Sequence, residues 1–505
     1  MDAKQVAEAL VRAGSIESDR HLNCYYIPAF ASPVSFVAQQ HRALNLIWAL
    51  KTSGKILGNE SVAIIGAGIA GLTAACALRA YGCRVNLYDT GSAMWRQKTT
   101  KHRMVHPLIN FWPNVPCDTP TTNLPFLDWY FSDCDIAIKE MDAQWKSIYA
   151  QSKGRGSLVL NSPVTVREII APINVASDIR LKAKPAITDR FNIAIIAVGF
   201  GKEFPLRGFE FAEYWDADNL EKDKLGNKID SFIVSGCGDG GMIDALRIAY
   251  DLDNGKLIVD VASQLTDPSI ARLILEAESN LVGNASFYDD AVTLLRSKRR
   301  FKDIKRLIER NLDKRPQLVT LLDRKLSHPC ASRAAPIHKL LVAYARSVNT
   351  IRFKTGRVQL DREKRRYVVQ SSPSPETFPL RKTKVVIRHG AKANFAKFLS
   401  KPEMTLLAKK QAELGIYAYR PAFSHMPAPR PYPAYGDRTS SFVLSRLTLA
   451  NRSIQIFDPD AEVRIISNRF VCSSNKADFF RPKRLFGIPT KWRAARVRIG
   501  ASINV

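Results

Sequence analysis

Three observations predict an α/β protein with two parallel-sheet units. A G-x-G-x-x-G turn lies between an apolar strand run and a helical run at Gly66, Gly68 and Gly71. The same arrangement returns at Gly236, Gly238 and Gly241. The 505 residues suffice for two to four domains with cores of their own. At 46% apolar and 24% charged residues the composition is ordinary for a globular chain and excludes a disordered polycation, a collagen-like chain or a mini-protein.

The chain opens Met-Asp-Ala-Lys with no apolar h-region, so a signal peptide is not expected. Ser32 to Leu50 is a candidate amphipathic helix that would pack on the first unit. The longest uncharged stretch, Ser61 to Leu78, approaches the length of a membrane span, but glycines punctuate it and no transmembrane segment is expected. Eight cysteines are scattered with no pair two residues apart, which excludes CxxC zinc ribbons and thioredoxin-like dithiols; the reading is a reduced, cytoplasmic protein without a metal site.

Residues 61–89 change period twice: a short strand at Val62 to Ile65, a helix at Leu72 to Tyr81, a strand at Arg84 to Tyr88. In this βαβ unit Gly66 makes the tight turn, Gly68 lets backbone approach a pyrophosphate, and Gly71 lets helix and strand pack closely. The helix N-terminus offers N–H groups and a positive dipole end to phosphates. Asp89 closes the second strand, where a carboxylate accepts ribose hydroxyls. Dinucleotide binding follows.

The stretch is similar to the ADP-binding fingerprint of FAD-containing oxidoreductases. In that family a later strand ends in an Ala-Thr-Gly-like turn. FNIAIIAVGFG (Phe191 to Gly201) resembles it, with Val198 where Thr is usual and Gly199 at the turn. The resemblance implies FAD at this site. Between the two, His102, Arg103, His106, Trp112 and Trp129 fall in Pro-rich, irregular sequence, either as loops near a flavin or as packing of a loop-rich core. Arg103 and His106 are the candidates for a place near a ligand; catalytic residues are otherwise unassigned.

At 231–246, SFIVSGCGDGGMIDAL, an apolar strand again runs into the glycine turn and a helix. Lys256 to Val259 reads as the following strand, ending at Asp260, 24 residues after Gly236. This segment resembles the pyridine-nucleotide motif of thioredoxin-reductase-like flavoproteins, with Asp239 in its Gly-x-Gly-Asp turn. A competing reading makes Gly238-Asp239 a flavin-ribityl turn within a single FAD domain. As an NAD(P)H site, Asp260 at a strand end would accept a ribose diol and repel a 2′-phosphate, which favours NADH. TKVVIRHGAKANF (Thr383 to Phe395) looks like the strand and glycine turn closing such a domain, with Arg388-His389-Gly390 departing from Ala-Thr-Gly.

Residues 267–348 read as an inserted helical block, with helices around Ile270 to Leu281, Ala291 to Leu312 and Ile337 to Val348. Arg296 to Arg315 is amphipathic and basic, either a solvated helix packed over the nucleotide unit or a contact for an anionic surface. Residues 417–435 hold five prolines and five aromatics and should run extended, as a linker or a loop across the site. Gly436-Asp437 is a second candidate for a flavin-contacting turn, and 440–505 read as a mixed, β-rich tail. Charge is uneven: residues 1–230 hold 26 basic and 23 acidic residues, residues 231–505 hold 49 and 24. No nucleic-acid-binding motif accompanies the excess, so it suggests at most weak, non-specific polyanion contact through the basic C-terminal half.

The expected organisation is an N-terminal helical extension (1–60), a Rossmann-type FAD-binding domain (61–230), a second Rossmann-type NAD(P)-binding domain with the basic insertion (231–395) and a C-terminal region (396–505) with completion of the FAD domain as one role. The expected function is an FAD-dependent oxidoreductase passing a hydride from NAD(P)H through flavin to oxygen or a small-molecule substrate. Disulfide reduction lacks its cysteine pair. Flavin monooxygenases resemble the chain in having both motifs and no dithiol, although their F-x-G-x-x-x-H linker signature is missing between the turns. The alternatives are an amine or amino-acid oxidase with a single nucleotide site, and a non-catalytic nucleotide sensor whose basic half docks on a polyanion.

Overall fold

A computed structural model describes residues 3–16, 23–27, 35–89, 103–117, 121–151, 159–161, 165–170, 180–184, 190–199, 203, 205–216, 220, 229–250, 256–371, 374–390 and 399–413, with short strands between 446 and 504. His102, the Pro-rich segment 417–435 and Gly436-Asp437 lie outside the described residues.

The first unit begins with α1 (Ala3–Gly14), β1 (Cys24–Tyr26) and α2 (Phe36–Thr52). Ser35 caps α2, its hydroxyl accepting the Ala38 N–H at 3.2 Å. Twelve of the 17 residues of α2 are buried, because α1 and α3 cover it from two sides. The βαβ unit follows as β2 (Ser61–Ile65), α3 (Ile69–Ala80) and β3 (Arg84–Tyr88), as the period changes predict. Then come β4 (Met104–Val105), β5 (Ser132–Asp133), α4 (Cys134–Gln151), β6 (Val159–Asn161), the hairpin of β7 (Thr165–Ile170) and β8 (Arg180–Lys184), and β9 (Ile193–Ile196). The sheet order is β1-β9-β2-β3-β6, all parallel, with Ala63 beside both Asn86 and Ala194. The segment before residue 61 is therefore not helical throughout: it supplies the edge strand β1. Three residues are too few to show a period in sequence.

The second unit is β10 (Ser231–Ser235), α5 (Asp239–Ala249), α6 (Lys256–Gln264), α7 (Pro268–Ser279), α8 (Phe287–Ser297), α9 (Lys302–Glu309), β11 (Val319–Asp323), α10 (Pro336–Ser347), β12 (Ile351–Asp361), β13 (Arg366–Ser371), β14 (Glu376–Pro379) and β15 (Thr383–Ile387). Its sheet order is β14-β13-β12-β11-β10-β15; the four strands β12, β11, β10 and β15 are parallel, and β13 and β14 extend β12 antiparallel. The second glycine turn thus opens a sheet of its own. That arrangement disfavours the reading in which the turn belongs to a single FAD domain.

Three sequence expectations are corrected here. Lys256–Val259 is not a strand but the first turn of α6, and Asp260 ends no strand; it pairs with Lys256 one helical turn away. The apolar run Leu257–Val259 fits a buried strand or a helix equally well, and burial of Val261 and Ala262 on the same face decides for the helix. The strand that follows β10 in the sheet is β11, beyond four inserted helices, so the insertion precedes it and does not run unbroken to 348. The basic stretch expected as one helix is broken at Lys298, whose backbone is extended (φ −90°, ψ 132°).

Two main cores lie one in each unit, and the irregular segment 103–117 joins them: Ile109, Trp112 and Cys117 bury into the second unit's core while Leu124 to Trp129 bury into the first. Leu399 and Leu407, the latter on α11 (Lys401–Glu413), pack on the first sheet.

Candidate functional site

Both turns sit at the C-terminal ends of strands flanked on both sides by parallel neighbours, where open α/β sheets bind ligands. At the first, Gly66 has φ +109°, and a Cβ there would stand 2.3 Å from the Ala197 carbonyl oxygen on the strand β9 side. At Gly71 a Cβ would lie 1.9 Å from the Gly66 oxygen, so only glycine lets α3 start this close to β2. Gly68 caps α3, and among the described residues nothing outside its own turn lies within 4 Å of where its Cβ would be. That open side of the helix N-terminus is the approach a pyrophosphate needs. The Asp89 carboxylate accepts the Ala67 N–H at 2.8 Å, which pins the strand-end acid beside the turn. Gly199, at φ +67°, turns the chain after β9 on the same edge. These residues fit an adenine dinucleotide.

The second turn repeats the pattern closely. Gly236 has φ +120° and would meet the Arg388 oxygen at 2.0 Å; Gly241 would meet the Gly236 oxygen at 1.8 Å; Gly238 faces open space. Asp239, the acid that looks misplaced beside phosphates, is turned to the start of α10. It accepts the Ala335 N–H at 2.7 Å and bonds His338 Nδ1 at 2.9 Å. The strand-end acid of this unit is Asp323, whose Oδ1 accepts the N–H groups of Lys325 and Leu326, with Arg324 and Lys325 exposed next to it. His389, following β15, bonds the Ser235 hydroxyl through Nε2 at 2.7 Å; partial burial of its ring, then Arg324, lowers its pKa from the ordinary value.

The sequence gives no sign of the charged hub between the two units. Asp244 on α5 is fully buried, and three arginines reach it: Arg103 Nη1 at 2.8 Å, Arg388 Nε at 2.7 Å and Arg247 Nη1 at 3.2 Å. Arg388 also donates to the Ala212 carbonyl at 2.7 Å and lies 3.5 Å from Glu203. Arg103 lies over the Tyr214 ring, 3.8 Å from its centre. Burial works against the Asp244 carboxylate, yet the arginines outweigh it and hold its carboxyl below the ordinary aspartate range. Arg103 comes from the first unit and Asp244 from the second, so the hub fastens the units together.

Arg103 is thus committed to this hub. His106 is 6% exposed, accepts the Leu108 N–H through Nδ1 at 3.1 Å and packs on Phe131; burial pulls its pKa down to about 4. Trp129 donates to Gln40 Oε1 at 2.9 Å inside the first core. These side chains pack, which is the second of the two sequence readings.

Residues 64–113 match the family model described as an NAD(P)-binding Rossmann-like domain. The D-lactate dehydrogenases of Streptococcus agalactiae serotypes V and III are each 43% identical over 56 residues, 11% of this chain, and the chain spans 17% of their length. Three solved structures are similar at low identity. A bacillithiol disulfide reductase from Staphylococcus aureus has 12% identity over 67% of this chain and 78% of that one, with TM-score 0.35. The thioredoxin reductase of T. acidophilum has 13% over 68% and 80%, at 0.30. OTEMO in complex with FAD and NADP has 10% over 68% and 73%, at 0.33. The chain is a two-unit α/β protein, and residues 64–113 of its first unit are similar to an NAD(P)-binding Rossmann-like domain.

Proposed function

We propose that the protein is an FAD-dependent oxidoreductase that takes reducing equivalents from a nicotinamide dinucleotide and delivers them to oxygen or a small organic substrate. The observation that carries this reading is the pair of glycine turns on two separate parallel sheets, each with two positions that exclude a Cβ and one that opens outward. A bound flavin would supply the redox chemistry. The chain's own residues hold the dinucleotides: Gly68 with the α3 N-terminus and Asp89 at the first site, Gly238 with the α5 N-terminus at the second. The Asp244 hub fixes the orientation of one site toward the other.

The described cysteines support an acceptor other than a disulfide. All seven are free and buried, and burial pushes the thiols of Cys24, Cys83 and Cys134 up to about 12, so thiolates are not sustained at neutral pH. With Asp260 on a helix, its argument for NADH lapses. Asp323 is occupied by its own turn, and exposed Arg324 and Lys325 beside it suit a 2′-phosphate, which favours NADPH.

A visible spectrum of the purified protein followed by anaerobic titration tests the function. Flavin absorbance that bleaches with NADPH, and less readily with NADH, is expected. A protein that takes up no FAD, or a flavin that only an amine substrate reduces, refutes it.

A further inference from the structure

The charge excess of the second unit has a concentrated focus. Residues 296–315 hold ten basic and three acidic residues. Their apolar side is spent: Phe301, Ile304, Leu307 and Ile308 are buried in the second unit's core. The opposite side presents Arg299, Lys302, Arg306 and Arg310, all exposed, three or four residues apart and therefore on one stripe. From Lys302 to Arg310 the stripe runs about 12 Å at the helical rise. Lys298 and Lys314, also exposed, stand before and after it in the chain.

Some cations of the segment are already matched. Arg300 pairs with Asp267, Arg315 with Asp313, and Arg306 weakly with Asp303 at 3.6 Å. Lys298, Arg299, Lys302, Arg310 and Lys314 have no carboxylate within 4 Å among the described residues. Five like charges left unmatched over so short a stretch repel one another, and a polyanion relieves that repulsion. A nucleotide cradle does not explain them, since the stripe is on the inserted helices and not at the strand ends.

We infer that this face of the insertion docks the phosphate backbone of nucleic acid. Two features select that partner over a lipid surface. A membrane-bound amphipathic helix inserts its apolar side, but here that side is committed to the core, and none of the exposed large hydrophobic residues falls in 296–315. Three of the four stripe cations are arginines, whose planar fork matches phosphate oxygens. No base-reading element accompanies them, so binding is to backbone and independent of sequence.

The test is fluorescence anisotropy of the full-length protein with a labelled 20-base-pair DNA duplex of arbitrary sequence, from 50 to 200 mM NaCl. Five contacts predict a slope of log K against log salt of about −4.5, hence about a 500-fold loss of affinity across that range. The triple variant Arg299→Gln, Lys302→Gln, Arg310→Gln should bind at least tenfold more weakly at 50 mM and flatten the slope by about 3. Its melting temperature should be unchanged, because all three side chains are exposed. A second triple variant, Arg362→Gln, Lys364→Gln, Arg381→Gln, removes the same charge from the β12–β14 edge and should stay within twofold of wild type. The inference is overturned by absence of saturable binding at 50 mM, by equal losses in both variants, or by binding to phosphatidylserine vesicles without binding to DNA.

Discussion

Replacing Gly238 with alanine separates the two nucleotide sites. Among the described residues no neighbouring atom outside its own turn lies within 4 Å of a Cβ at this position, so the fold accepts it. Its backbone (φ −72°, ψ 179°) is extended and open to any residue, and as an N-cap it uses no side chain; the cost to stability is at most about 1 kcal/mol. The new methyl instead projects into the space before the α5 N-terminus, where phosphate oxygens would take backbone N–H groups. Losing one charge-assisted bond there costs about 1.5–3 kcal/mol, a rise in Kd of about 10- to 150-fold. Gly241→Ala differs in kind: its Cβ would sit 1.8 Å from the Gly236 oxygen, so backbone must move, at about 1–3 kcal/mol or more. The assay follows flavin content, melting temperature and the NADPH concentration that half-reduces the flavin under anaerobic conditions. Gly238→Ala should keep its flavin and melting temperature and shift only the NADPH requirement; Gly241→Ala should lower the melting temperature as well. If Gly238→Ala sheds flavin, or responds to NADPH as wild type does, the assignment of a separate nicotinamide site is wrong.

Three further perturbations probe other parts of the arrangement. Asp244→Asn leaves three arginines around a neutral group and should cost about 3–5 kcal/mol in urea unfolding. Because the Asp244 carboxyl is held below its ordinary value, its contribution is present above about pH 4, the unfolded value, and falls away as pH drops further; the variant should lack that acid-side loss. His106 also makes stability fall as pH drops, at milder acid pH. The folded protein resists its protonation down to about pH 4 while the unfolded chain takes the proton near 6.5, so the residue lowers stability progressively between those values, by up to about 3 kcal/mol. His106→Asn keeps an acceptor for the Leu108 N–H and should flatten that slope in pH-dependent melting; an unchanged slope contradicts the burial argument. Arg324→Ser should raise the NADPH requirement and leave the NADH requirement unaltered, and equal effects on both would remove the 2′-phosphate assignment.

The parts of the fold legible in sequence are those set by local chemistry. Gly66, Gly71, Gly236 and Gly241 announce themselves because no other residue tolerates the approach of a carbonyl oxygen to about 2 Å of a Cβ position. Strands β2, β3 and β10 likewise show as short apolar runs beside those turns. The misplacement of Asp260 shows where local reading ends. A spacing of 24 residues from Gly236 matches an ordinary βαβ unit, and only the folded chain shows that helices α6 to α9 intervene before β11. The Asp244 hub was invisible for a related reason. Asp244, Arg247, Arg103 and Arg388 are spread over 286 positions of sequence, and each reads alone as an ordinary charged residue. Their partnership is created by docking of the segment 103–117 on the second unit.

The insertion leaves the second unit's sheet intact, and one helix, α10, contacts both the inserted helices and the start of α5. It departs after α5 and returns at β11, so β10 and β11 still pair in parallel. Within α10, Lys339 is fully buried and reaches Glu278 on α7 at 2.6 Å, and Tyr288 on α8 donates to the same carboxylate. The preceding residue, His338, bonds Asp239 in the first turn of α5. Two consecutive side chains therefore face opposite demands, one fastening the inserted helices and the other fixing the start of the phosphate-facing helix. The basic stripe along α9 and its two flanks is thus carried by a block whose anchor, Lys339, is next in sequence to the residue that holds the start of α5, which makes the insertion an integral part of that unit and not a loosely tethered appendage.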